Sequence, residues 1–229
     1  FVQRKNFNLA LIQTKALDKR NNENGFRLIA LGKTAMNEKA YDVAIEAFEY
    51  VANKGNRSGM AMTANQLLLQ ARKLKVTNSL DYTKEDILKL DAAFDQFIDR
   101  FGVNRSTVGT VLEKANLQAF YLYNYDTAIA IVEGLIEIPN LSPQDKGQAK
   151  LDLGDYYLMS GDVWESTLLY SQVDKAFKDG PLGEMGRFKN AKLSYYRGDF
   201  EWAQGQLVVL KASTSELIAN DALDLSVFI

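Results

Sequence analysis

The strongest constraint in this sequence is a pattern that recurs. Four stretches place an aromatic residue first, a small residue three positions on, and bulky apolar residues further along the same helical face. They are FNLALIQTKAL (Phe7, Ala10, Leu17), YDVAIEAFEYV (Tyr41, Ala44, Phe48, Val51), YDTAIAIVEGL (Tyr125, Ala128, Val132, Leu135) and FEWAQGQLVVL (Phe200, Ala203, Leu207, Leu210). A looser copy, VWESTLLYSQV, sets Val163, Ser166, Tyr170 and Val173 in the same order. The small residues are 34 apart from Ala10 to Ala44, 38 from Ala128 to Ser166 and 37 from Ser166 to Ala203. LDAAFDQFIDRF, with Leu90, Ala93 and Phe97, divides the remaining gap from Ala44 to Ala128. A period of this size belongs to stacked helical hairpins. An ordinary bundle has no reason to repeat a small residue at such intervals.

Each copy is preceded by a second stretch of helical period with a small residue on its inner face. LIALGKTAM carries Leu31-Gly32, LDLGDYYLMSGD carries Leu153-Gly154 with Tyr157, and FKNAKLSYYRGD carries Ala191. Small residues let antiparallel helices approach closely while large ones fill the space between successive pairs. Three prolines and 15 glycines in 229 residues are few enough to favour long helices. Helix starts are legible at Ser142-Pro143-Gln144-Asp145, at Thr83-Lys84-Glu85-Asp86 and at the capping box Ser213-Thr214-Ser215-Glu216. These signals predict about eleven helices and no sheet, with 76–82 (VTNSLDY) as the longest loop.

These residues resemble the tetratricopeptide repeat (TPR) family across the whole chain. The matching elements are the Leu-Gly pair and following Tyr of the first helix, and the aromatic–small–aromatic order of the second. LGDYYLMSGD and AYDVAIEAFEYV carry the likeness best, and the chain resembles large, uncharacterised multi-repeat bacterial TPR proteins. The Trp typical of the first helix is missing from every copy, and the repeat-end proline survives only as Pro139. The resemblance implies an all-α, right-handed superhelical solenoid of TPR-like helix-turn-helix repeats, read as a single domain over 1–229. The start FVQRKNFNLA and the end DLSVFI are expected of a segment cut from a longer repeat protein, whose exposed ends would favour self-association. No apolar run is long enough for a membrane span.

Composition narrows the chemistry. With no His and no Cys, the chain has no imidazole- or thiolate-based nucleophile, zinc site or iron–sulfur cluster. A net charge of -2 argues against nucleic acid as a partner. No phosphate-loop motif is present; Gly180, Gly183 and Gly186 beside Lys178 and Arg187 read as an inter-repeat linker before a phosphate nest. Asp152 and Asp155 lie three apart on one helix face, and read as a solvated surface. No catalytic residue, cofactor or metal ligand is assigned. The function expected is a non-enzymatic protein–protein interaction scaffold that binds a peptide or partner protein on its concave face. The alternative is a carbohydrate-binding or enzyme-associated helical repeat using carboxylates such as Asp152 and Asp155.

In TPR folds the first helix of each pair lines the concave surface. By register, that implies Phe26, Lys33, Met36, Asn37, Leu117, Tyr121, Asp155, Met159, Lys192 and Tyr196 as lining residues. The C-terminal group, around Tyr121, Met159, Lys192 and Tyr196, is favoured because its repeats follow without interruption. The carboxylate clamp by which some TPR proteins hold acidic chaperone tails maps onto Ile29 and Lys33, Glu113 and Leu117, Leu151 and Asp155, Phe188 and Lys192. Apolar and acidic side chains stand there instead of the required bases and amides, so chaperone-tail binding is not expected.

Overall fold

A computed structural model describes residues 6–55, 59–178, 180–213 and 215–229. Among them the chain is all helical: α1 (Phe7–Asn21), α2 (Phe26–Asn37), α3 (Tyr41–Asn53), α4 (Ala61–Thr77), α5 (Lys84–Phe101), α6 (Val108–Phe120), α7 (Tyr125–Ile136), α8 (Pro143–Ser160), α9 (Val163–Ala176), α10 (Pro181–Tyr196), α11 (Phe200–Leu210) and α12 (Glu216–Val227). The twelfth helix beyond the expected eleven or so reflects the weak signature of α4, which has no Leu-Gly pair. The loop after it is shorter than expected: Val76 and Thr77 stay helical, and Asn78 caps α4.

The helices group into two units, α1–α5 and α6–α12. In the first, α2 packs on α3 and α3 on α4, with Leu28, Ala35, Ala44, Phe48 and Val51 buried between them. In the second, each helix packs on the next, and α6, α8, α10 and α12 also touch in succession. The result there is two layers, first helices on one side and second helices (α7, α9, α11) on the other. No helix among the described residues is long and apolar enough to cross a membrane.

The recurring small residues do what close packing requires. A Cβ on Gly32 would stand 2.5 Å from the Phe48 ring, and one on Gly154 would stand 2.5 Å from the Tyr170 ring. Both pairs are 16 residues apart, as are Ala191 and Leu207, which share one buried cluster. The hairpin therefore accepts a glycine under an aromatic ring, or an alanine under a leucine. Ser166 fills the small position of α9 fully buried, its hydroxyl donating to the Gly154 carbonyl.

The corner between paired helices also repeats. Lys39, Tyr123, Gly161 and Gly198 all have left-handed φ, from 55° to 98°. The next residue closes the corner by donating its N–H to a carbonyl in the preceding helix. Ala40 bonds to Ala35, Asp162 to Tyr157 and Asp199 to Ser194, each five residues back. Asn124 bonds to Gln118, six back. The α6–α7 corner thus holds one additional residue.

The predicted caps divide. Ser142 accepts from the Asp145 N–H at 3.0 Å with Pro143 following, and Thr83 forms a full capping box with Asp86. The last helix starts later than expected, because Ser215, not Ser213, is its N-cap. Thr214, inside the predicted box, lies outside the described residues. Gly183 and Gly186 are neither linker nor phosphate nest. Both lie inside α10, where a Cβ would run into the Phe177 carbonyl in one case and the Tyr170 carbonyl in the other, so they let α10 seat on the α9 backbone.

Candidate functional site

In the second unit, the helical repeat brings side chains of α6, α8 and α10 into register. The offsets are 39 residues from α6 to α8 and 37 from α8 to α10. Three rows follow: Glu113–Asp152–Lys189, Asn116–Asp155–Lys192 and Phe120–Met159–Tyr196. Acid on α6 and α8 gives way to base on α10, with an aromatic and thioether row beside it.

The middle of this face is held by one ion pair. Lys189 Nζ donates to both Oδ1 and Oδ2 of Asp155 at 2.7 Å, and the Tyr170 hydroxyl donates to Asp155 Oδ1 at 2.6 Å. Lys189 also sits 5.7 Å from the Tyr170 ring centroid. Asp155 is thereby tied to α9 and α10 at once. Asp152 has a weaker partner, the neutral amide of Gln148, which donates to Oδ1 at 2.9 Å. Burial, opposed by that hydrogen bond and reinforced by the Asp155 and Glu113 charges, pushes the Asp152 carboxyl from 3.8 to about 6. Beneath it, Tyr156 is fully buried and its hydroxyl has no hydrogen-bond partner. Burial first, then the charges of Asp152, Asp155 and Glu113, holds its phenol far above the ordinary range. The Phe120 ring packs edge-on against Tyr156 with centroids 6.0 Å apart.

The raised Asp152 pKa has a measurable consequence. Between about pH 4 and 6 the folded chain keeps a proton that the unfolded chain has released, so stability falls as pH rises through that window. Above it the ionised, partly buried carboxyl costs the fold its full penalty. Asp152→Asn is expected to stabilise the protein by about 1–3 kcal/mol near pH 7 and by about nothing near pH 4. Chemical denaturation at the two pH values checks this, and equal effects at both would disprove it.

The expected lining residues fall into three groups. Asp155, Met159, Lys192 and Tyr196 lie in the rows of α8 and α10; Lys192 and Tyr196 are exposed, Tyr196 by 72% with its ring edge-on to Tyr195. Tyr121 is half-buried and caps the end of α6. Leu117 is a correction: it is 0% exposed and belongs to the core. The additional residue in the α6–α7 corner shifts α6 by one position, so Asn116 stands where Leu117 was expected. In the first unit, Lys33 and Asn37 are placed on α2, both exposed, and Phe26 is exposed under the Arg27 guanidinium. Met36 packs against that unit's core. Of the positions compared with the chaperone clamp, Ile29 and Leu151 are buried as well.

Sequence reasoning missed Lys189, Gln148 and Tyr156. The 37-residue offset that maps Asp155 onto Lys192 also maps Asp152 onto Lys189, and is the signal that could have found it. No group of three or more acidic residues placed to hold a metal ion occurs among the described residues.

No protein-family profile matches this chain, and no curated protein matches it in sequence. Solved structures do match in shape. TPR-like repeats, nearly identical to one another, from a candidate kinesin light chain of Podosopora anserina superpose with a TM-score of 0.61 at 13% identity. That match covers 87% of this chain and 95% of the other; a singly substituted form of the same repeats gives 0.62 at 14%, covering 86% and 95%. A tetratricopeptide repeat protein from Parabacteroides merdae gives 0.62 at 12% identity, covering 90% of this chain and 73% of the other. At these identities the likeness establishes the fold, an all-α helical repeat of TPR type.

Proposed function

We propose that this chain is a non-enzymatic protein–protein interaction scaffold whose first-helix face in the second unit, α6, α8 and α10, receives a peptide or partner segment. TPR-like repeats commonly mediate protein–protein contacts, and function argued from fold alone is analogy. The observation that carries the reading to a place is the row Phe120–Met159–Tyr196 beside the charged rows. Exposed aromatics next to ordered charges supply contact area at small entropic cost. Asp155 contributes here as a structural ion pair, both oxygens being engaged by Lys189.

The test compares the two layers on a peptide array. Tyr196→Ala together with Met159→Ala is expected to weaken binding at least about tenfold while leaving the helical circular dichroism unchanged. Trp164→Ala, which removes a 73% exposed ring from α9 in the other layer, is expected to leave it intact. The reverse ranking would move the binding surface to the second helices.

A further inference from the structure

We infer that the groove between α4 and α5, in the first unit, binds a medium-chain fatty carboxylate, with its head at Arg72 and Arg100 and its tail toward Val76. The site lies within the first unit and stands or falls independently of the first-helix face of the second.

Three observations carry it. The first is a pair of cavities that join. One, of about 360 Å³, is bounded by Ile45, Val76, Leu90 and Ala93 together with Lys75 and Lys89. The other, of about 210 Å³, is bounded by Asn65, Arg72, Gln96, Phe97 and Arg100. Arg72 and Ala93 border both, so the two form one trough along the hairpin. From Asn65 to Val76 it follows eleven residues of α4, about 16 Å at the rise of a helix. An extended chain of about ten carbons, with bonds of about 1.5 Å, fits that length.

The second is the contrast between the two ends. At the Val76 end the floor is aliphatic and each lysine already faces an acid, Lys75 pairing with Asp42 and Lys89 with Glu85 at 2.8 Å. Asp86, also at that end, is engaged in the capping box with Thr83. At the Asn65 end two guanidiniums and two carboxamides share one small cavity, with no acid among the described residues that line it. The third is what those guanidiniums offer. Arg72 gives one N–H to Glu49 Oε1 at 2.7 Å, out of the five it carries. That pair is 40% exposed on both sides, and an exposed pair exchanges its carboxylate at little cost. Arg100 lies over the Phe101 ring, 5.1 Å from its centroid, a contact that uses the cation's field and none of its N–H donors. A carboxylate between the two receives charge-assisted hydrogen bonds, while its alkyl tail covers Ile45, Val76 and Leu90. An alkyl cation meets the wrong charge at the polar end, and a short acid leaves the aliphatic end uncovered.

Isothermal titration calorimetry of the whole chain with sodium decanoate tests this. A Kd of about 10–100 µM is expected, with affinity falling about threefold for each methylene removed on going to octanoate and hexanoate. Acetate and decyltrimethylammonium, which keep only the head or only the tail, are expected not to bind at about 1 mM. Arg100→Gln is expected to weaken decanoate about tenfold by removing one side of the head site. Ala93→Leu places a larger side chain where the two cavities meet and is expected to abolish the gain from hexanoate to decanoate. Arg100 is exposed and Ala93 half-buried, so both changes keep the fold, as unchanged circular dichroism checks; if Ala93→Leu does not fold, Arg100→Gln decides alone. Lys19→Gln, which removes an exposed cation from α1, is expected to change nothing. Decanoate binding that is undiminished in Arg100→Gln, equally weakened in Lys19→Gln, or matched by decyltrimethylammonium overturns the proposal. So does the absence of decanoate binding at about 1 mM. Binding of acetyl-Ala-Leu-Ala-Leu, with its free carboxylate, in place of decanoate overturns it in favour of a peptide end.

Discussion

Phe48→Ala is expected to destabilise the protein by about 3–5 kcal/mol, measured by urea denaturation. Phe48 is 0% exposed and lies where α2 and α3 approach closely enough that Gly32 has no room for a methyl group. Its loss leaves a cavity that the rigid hairpin cannot collapse. The complementary change, Gly32→Ala, forces a carbon to within 2.5 Å of the ring and is expected to cost about 1–3 kcal/mol. The α10–α11 hairpin shows the remedy, pairing Ala191 with Leu207 at the same 16-residue spacing. Gly32→Ala with Phe48→Leu should therefore lose about 1–2 kcal/mol less than the two single changes added together. Strict additivity would show that the glycine and the ring do not share one volume.

Lys54→Ala is expected to cost about 3–5 kcal/mol, a large effect for a residue at a helix end. Asp18 of α1 is 0% exposed, and its carboxylate accepts from the Lys54 ammonium and, at 3.1 Å, from the Tyr50 hydroxyl. Burial, and after it the hydrogen bond to Asp18, raises the Tyr50 phenol above its ordinary value. Lys54 also donates to the Glu23 carbonyl at 2.7 Å, fastening the end of α3 to the α1–α2 turn. Without it the Asp18 charge stays buried with a single neutral donor. Removing both charges, as Asp18→Leu with Lys54→Met, should recover most of the loss, because the penalty belongs to the orphaned ion and not to the missing pair. Thermal and urea denaturation of the single and double variants check this; a single-variant cost below about 1 kcal/mol would show that Asp18 reaches water.

The sequence by itself determined the architecture. Small residues that recur 34, 37 and 38 positions apart, with aromatics at fixed offsets, are a statement about helices that must touch, and touching helices dictate layers. It also determined the caps at Thr83 and Ser142, because those rest on hydrogen bonds spanning only three residues. Three things were decided by the tertiary structure. A single additional residue in the α6–α7 corner turned Leu117 inward and put Asn116 in its place, since a one-residue shift on a helix rotates a side chain by about 100°. Gly183 and Gly186 became contact points because the α9 backbone lies against them, which no local pattern encodes. The partners of Asp155 and Asp18 come from residues 34 and 36 positions away, Lys189 and Lys54. Local spacing fixes which face of a helix a residue occupies. Which charge meets it across the layer depends on the length of every corner between them, and that is set by packing.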